Sequence, residues 1–261
     1  LALIADAGHN LSDVMSLLIA WGAALLASRY PTKKRTYGFR RVTILASLTS
    51  AVLLLVALGS IAWEAFGRLS NPQPVEGLVI ITVASIGVVI NTATALLFVS
   101  GQKHDLNIKG AYLHMAADAG VSLGVVLAGV AIMMTGWLWL DPAISLAIVV
   151  VILVGTWNLL RDSINLSIDA IPKGIDVPGI EDYLTGIKNV TKIHDLHIWP
   201  LSTTETALTV HLVAKQGPIT NNFLKEVQQH LHDNFSIEHA TIQVEQEDAD
   251  NCCLLDRPEC I

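Results

Sequence analysis

The stretch V-T-I-L-A-S-L-T-S-A-V-L-L-L-V-A-L-G-S-I-A-W at 42–63 runs for 22 residues without an Asp, Glu, Lys or Arg. As a helix it would be about 33 Å long, enough to cross the roughly 30 Å hydrocarbon core of a bilayer. A core helix of a soluble protein would carry a charged face, and this run has none. The windows 77–102, 119–140 and 142–160 are equally free of charge. A fifth segment, about 3–28, is apolar from Val14 to Ser28 but opens with Asp6, His9 and Asp13. Five membrane spans are therefore predicted.

Composition divides the chain in the same way. Of 261 residues, 52% are hydrophobic and 15% charged, against about a quarter charged in an ordinary soluble domain. Residues 1–160 hold nine Lys/Arg against seven Asp/Glu, whereas 161–261 hold seven against sixteen. An acidic soluble part of this kind repels phosphate, which excludes a nucleic-acid binder. Three cysteines, all beyond residue 251, cannot build a disulfide framework. The pattern is that of a membrane domain followed by a polar, acidic module.

Basic residues set the orientation. Arg29, Lys33, Lys34, Arg35, Arg40 and Arg41 crowd the loop after the first span, while the next loop has Arg68 alone and the turn 136–141 has none. Lys103 and Lys109 flank the following loop, and Arg161 and Lys173 follow the last span. Basic loops alternate with poor ones, so the basic loops and the C-terminal module are expected to be cytoplasmic. Leu1 then falls outside, which leads to the expectation that a preceding span is missing and that the full set is six.

Two spans contain ionisable groups. An Asp at the centre of a span costs about 2.5–3.5 kcal/mol on insertion scales, and such residues mark pathways and sites. His9 and Asp13 are four apart, as are His114 and Asp118, so each pair shares one helical face. Two imidazoles and two carboxylates suit tetrahedral Zn²⁺ and neutralise its charge where water is scarce. Mg²⁺ and Ca²⁺ prefer oxygen donors alone. The plainer alternative is that these residues cap helices or glue them together. Because metal must displace protons from imidazole and carboxylate, a site of alternating access would exchange cation for H⁺. The windows put the two pairs at different depths. They come level if the fourth helix starts well below the bilayer or the first continues before residue 1.

Together, A-D-A-G-H-N-L-S-D (5–13), T-Y-G-F-R-R-V-T-I-L-A-S-L (36–48), H-M-A-A-D-A-G (114–120), D-P (141–142) and H-D-L-H-I-W (194–199) resemble the cation diffusion facilitator transporters, most of all their zinc-exporting branch. The resemblance covers essentially the whole chain in order. It implies six spans, a homodimer, and exchange of Zn²⁺ for H⁺ through a site shared by the second and fifth spans, here His9, Asp13, His114 and Asp118. His9 favours Zn²⁺, because relatives with Asp at that place tend to accept Cd²⁺ too. Two departures stand out. Thr43 occupies a position where the family commonly has Glu, so a packing or gating contact there is expected to differ. A His-rich loop is absent, with only His104 and Asp105 between the third and fourth visible spans, which favours a bacterial source.

Beyond Arg161 the periodicity changes. Helices are predicted over 176–189 and around Phe223–Phe235, with strands over 190–199, 205–214 and 240–245. Leu208, Val210 and Leu212 alternate on a core face, which turns His211 outward. His194 and His197 differ by three, so a regular strand cannot aim both at one ion. The resemblance implies a ferredoxin-like domain that pairs across the dimer and binds zinc through His194, His211 and Glu245, helped in some members by tail cysteines, here Cys252, Cys253 or Cys260. His230, His232 and His239 are expected to be solvated.

The fold class expected is an α-helical multi-span membrane domain, five spans visible of six, plus a small α+β ferredoxin-like cytoplasmic domain. The boundaries expected are 1–161 for transport, 162–250 for the cytoplasmic domain and 251–261 for a Cys-containing tail. The function expected is a Zn²⁺/H⁺ antiporter of the bacterial inner membrane, a homodimer in lipid, with Co²⁺ or Cd²⁺ left open as further cargo. Zn²⁺ is both cargo and ligand of the cytoplasmic domain. A membrane metalloenzyme would need an open coordination position and a nearby base; a non-transporting metal sensor would keep its activity without the spans.

Overall fold

The charge-free windows fold as long helices. The structure, a computed structural model, describes residues 11, 15, 18–71, 77–99, 106–215 and 221–246. Its helices begin with α1 (Leu18–Ala27), α2 (Val42–Ser70), α3 (Gly77–Phe98), α4 (Leu106–Thr135) and α5 (Leu140–Ser167). Of these, α2 to α5 are long and apolar enough to cross a membrane. Their ends carry ordinary stop signals. Arg68 sits in the last turn of α2, where it suits the helix dipole and pairs with Glu64 at 2.6 Å. Gly136, at φ 69, closes α4 with its N–H on the Ile132 carbonyl at 2.8 Å. Asp141 stands in the first turn of α5, buried, 4.0 Å from Arg68.

Two compact units divide the chain: residues 49–160 lie in the first, residues 20–48 and 161–261 in the second. In the first unit Leu58, Ile80, Ala84, Val125, Ile148, Val149 and Ile152 form the core. Large apolar side chains such as Leu97, Leu127, Met134 and Val154 face outward instead, as a helix surface in lipid requires. Where α3 meets α4, a Cβ on Gly129 would stand 2.8 Å from Ile81 Cγ1 and 3.2 Å from Ile80 Cγ2. A side chain there would force the helices apart, which is why glycine occupies the contact. Two of the buried hydroxyls are satisfied within their own helix: Ser145 donates to the Asp141 carbonyl at 2.7 Å and Thr156 to that of Ile152 at 2.9 Å.

The second unit carries the α+β module. It comprises α6 (Val177–Thr185), β1 (Val190–Pro200), β2 (Thr206–Ala214), α7 (Asn221–Phe235) and β3 (His239–Gln246). The strands form one sheet in the order β1-β2-β3, with β1 antiparallel and β3 parallel to β2. Asp176 caps α6 by accepting from the Gly179 N–H at 3.1 Å. The helix stops at Thr185, short of the predicted Asn189. Gly186 turns its N–H back on Asp182, and Asn189 at φ 74 swings the chain into β1. Ile180, Leu184, Leu208, Val210, Leu212, Val227 and Leu231 build the core between helices and sheet.

The basic loop 29–41 belongs to this unit as well. Arg40 pairs with Glu205 at 2.8 Å and Arg41 with Asp169 at 2.6 Å. Ser47 shares a 2.8 Å hydrogen bond with Ser163. Thr43, flagged above as a departure, donates to the Arg40 carbonyl at 2.9 Å and accepts from the Thr203 N–H at 3.1 Å. An uncharged hydroxyl thus holds the turn 201–205 against the first turn of α2; an ionised carboxylate could accept from Thr203 but could not donate to the Arg40 carbonyl.

Candidate functional site

The inward face of α4 carries the first set of residues. Asp118 is 4% exposed, and below it Ser122, Val125 and Ile132 are also buried. These positions recur at helical spacing, so the carboxylate points toward the protein interior. His114 lies one turn earlier on the same helix. Because α4 starts at Leu106 and has 30 residues, it is about 45 Å long, and Asp118 lies about 18 Å from its start. The helix therefore begins well before the charge-free window. His9 and Asp13 lie outside the described residues.

The second set is built by strand register. His194 on β1 is directly opposite His211 on β2, and their ring centroids are 5.0 Å apart. His211 is in turn opposite Gln243 on β3, so Glu245, two residues on, is its diagonal neighbour on the same face. One Glu245 oxygen lies 2.9 Å from His211 Nδ1, and the other 3.2 Å from His194 Nε2. Gln243 Nε2 donates to Glu245 at 3.0 Å and steadies it. Among the described residues this is the one cluster of three His, Cys, Asp or Glu groups able to hold a metal ion, with all ligand atoms within 4.8 Å.

The donor set fits zinc. Two imidazoles and one carboxylate supply three of four tetrahedral ligands. With bonds of about 2.0–2.1 Å, such ligand atoms stand roughly 3.3 Å apart, close to the 2.9 and 3.2 Å between the Glu245 oxygens and the two imidazoles. His194 is nearly fully buried, and its Nδ1 has no hydrogen-bond partner. A buried imidazole nitrogen without a partner is costly unless something else binds it.

Asp195 was not foreseen from the sequence. Register slips between His194 and His197, and Asp195 takes φ 53 in this β-bulge. The bulge brings Asp195 to 3.6 Å from His211 Nε2 and 3.0 Å from His197 Nε2. His197 stays exposed, outside the cluster. The available signal was the three-residue spacing of His194 and His197 around an Asp, a residue that tolerates the left-handed region.

The remaining described histidines do other things. His230 is half-buried and stacks on Tyr183 at 3.8 Å, so it is packed rather than solvated. His232 is exposed, and hydrogen bonding to Asp233, helped by the charge of Glu238, raises its pKa. His239 meets the Tyr37 ring edge-on at 5.5 Å. Cys252, Cys253 and Cys260 lie outside the described residues.

A helical membrane part with a buried carboxylate and a following α+β module with a His/His/Glu cluster invite comparison with known proteins. Residues 1–166 match the cation efflux transmembrane domain, and residues 172–247 match the cytoplasmic domain of cation efflux proteins. The chain belongs to the cation efflux family. This cation efflux protein is thus a multi-pass membrane transporter of cations, with its C-terminal domain in the cytoplasm.

Among its relatives is the metal cation efflux system protein CzcD of Cupriavidus metallidurans, 39% identical over 94% of this chain and 78% of that one. The cadmium, cobalt and zinc/H⁺-K⁺ antiporter of Bacillus subtilis is 38% identical, over 95% and 81%. The zinc transporter ZitB of Escherichia coli is 34% identical, over 94% and 79%. A solved structure, the metal-bound C-terminal domain of the CzcD transporter, is 37% identical. The match covers 27% of this chain and 99% of that one, with a TM-score of 0.25.

Proposed function

We propose that this cation efflux protein exports Zn²⁺ from the cytoplasm in exchange for H⁺, through an intramembrane site formed by His9, Asp13, His114 and Asp118. The observation that carries the reading is the burial of Asp118 on the inward face of α4, one turn from His114. A carboxylate costs free energy in a span, and compensating a dication is a sufficient reason to keep it. The names of the relatives, which include zinc, cadmium and cobalt as cargo and H⁺ as a counter-ion, support the same reading.

In this reading residues 1–161 carry transport and 162–250 form the cytoplasmic domain, which pairs in a homodimer and binds Zn²⁺ through His194, His211 and Glu245. The tail 251–261 adds Cys252 and Cys260 to that domain's metal ligands. The protein sits in a bacterial inner membrane.

The deciding experiment is zinc flux into proteoliposomes, with and without an opposing pH gradient and with K⁺ varied independently. Zinc uptake that follows the proton gradient at constant K⁺ is the expected result. Uptake indifferent to the gradient would remove H⁺ as the counter-ion. Selectivity gives a second expected result. His9→Asp should raise Cd²⁺ transport relative to Zn²⁺, because family members with Asp at this place tend to accept Cd²⁺ as well. An unchanged Cd²⁺/Zn²⁺ ratio would show that position 9 does not set selectivity.

A further inference from the structure

The loop 29–41 is held by a network of backbone bonds. Thr32 and Arg35 exchange backbone hydrogen bonds at 2.9 and 3.0 Å, and the Gly38 N–H returns to the Arg35 carbonyl at 2.9 Å. Gly38 takes φ 70, and a Cβ there would stand 3.3 Å from the Arg29 carbonyl oxygen, so glycine is needed for the turn. The loop runs directly into α2, a membrane span, and meets the cytoplasmic domain through Arg40 and Glu205. It therefore lies at the end of that span next to the cytoplasmic domain.

Between this loop and the domain is a cavity of about 390 Å³. That is within the range of small-ligand pockets and has room for a phosphate with its glycerol. Lys34, Arg35, Arg40 and Arg41 line it, and no Asp or Glu does. Glu205 and Asp169 neutralise Arg40 and Arg41. Lys34 and Arg35 have no carboxylate partner among the described residues. Arg35 is instead held over the Phe39 ring at 4.6 Å, a contact that fixes a guanidinium without cancelling its charge. The cavity wall also includes Trp199, a residue type suited to the water–lipid boundary, and Leu45, which is 55% exposed on the first turn of the span. Net positive charge and exposed apolar side chains lining one cavity match an amphiphilic anion.

We propose that this cavity binds the phosphate-bearing headgroup of an anionic phospholipid, with Lys34 and Arg35 supplying the charge that selects it. The metal sites play no part in the argument, so it stands or falls apart from the transport reading.

The test is native mass spectrometry of the full detergent-solubilised chain, titrated with phosphatidylglycerol or with phosphatidylcholine of identical acyl chains. Phosphatidylglycerol should bind more tightly, and the double variant Lys34→Gln plus Arg35→Gln should weaken it about 25-fold, at about 5-fold per charge. Arg35→Lys should keep most of the preference. Lys173→Gln, which removes a cation outside the cavity, should leave it unchanged. Equal binding of the two lipids, or a preference that survives the double exchange, overturns the proposal. Displacement of phosphatidylglycerol by millimolar inorganic phosphate would assign the cavity to a free anion and retire the lipid.

Discussion

Asp118→Ala is expected to reduce zinc flux by more than about 100-fold while leaving the protein folded and inserted. Loss of a group that merely supports a metal ligand typically costs about 10–100-fold in affinity or activity, so loss of a ligand should cost at least the upper figure. Folding should survive for the opposite reason. A carboxylate in a span is unfavourable by about 2.5–3.5 kcal/mol on insertion scales, and alanine, the best helix former, removes that cost from α4. Asp118→Asn separates charge from shape. It keeps the volume and one oxygen but cannot neutralise a dication, so it should fail as alanine does. Flux is measured in proteoliposomes, with far-UV circular dichroism and gel filtration to verify folding. A variant that keeps a tenth or more of wild-type flux would show that this carboxylate is not required.

The parts of this molecule readable from sequence are those governed by a simple period or by exclusion of charge. The windows at 42–63 and 142–160 fall within α2 and α5, and those at 77–102 and 119–140 hold α3 and the latter part of α4, because lipid tolerates no mixture there. The alternation of Leu208, Val210 and Leu212 put His211 on the other face of β2, and all three are fully buried. Asp195 escaped because one residue in a β-bulge changes a side chain's face, and no periodicity announces the slip. The hold of the cytoplasmic domain on the basic loop also escaped. Arg40 and Glu205 are far apart in sequence, and a loop arginine looks the same whether it faces water or a distant carboxylate. His230 escaped for a third reason: its partner Tyr183 is on another helix.

The double change His194→Ala plus His211→Ala should remove one zinc per protomer from the protein, counted in an Asp118→Ala background so that the intramembrane site does not contribute. The domain core is not at risk, because the histidines face away from Leu208, Val210 and Leu212, whose burial against α6 and α7 holds the sheet. With Cys252→Ser, Cys253→Ser and Cys260→Ser added, so that the tail supplies no thiolate, what remains of the donor set is Glu245 alone, and one carboxylate cannot compete for Zn²⁺ with water and buffer ligands. Asp195→Asn should give an intermediate result. It keeps all three candidate ligands but removes the negative charge that stands 3.6 Å from His211 Nε2 and would raise the basicity of a ligating imidazole, an expected loss in zinc affinity of about 10–100-fold. Equilibrium dialysis with zinc quantified by atomic emission resolves the three cases. Full stoichiometry in the double variant would move the cytoplasmic site away from β1 and β2, whereas loss in the double variant with wild-type affinity in Asp195→Asn would keep the site and remove the bulge from its support. Zinc flux in the double variant, made in the wild-type Asp118 background, then separates two roles for the site. Flux that persists at high zinc but needs more zinc to reach half its maximum describes a domain that senses metal and biases the spans. Flux unchanged at every concentration describes one that only steadies the pairing of protomers.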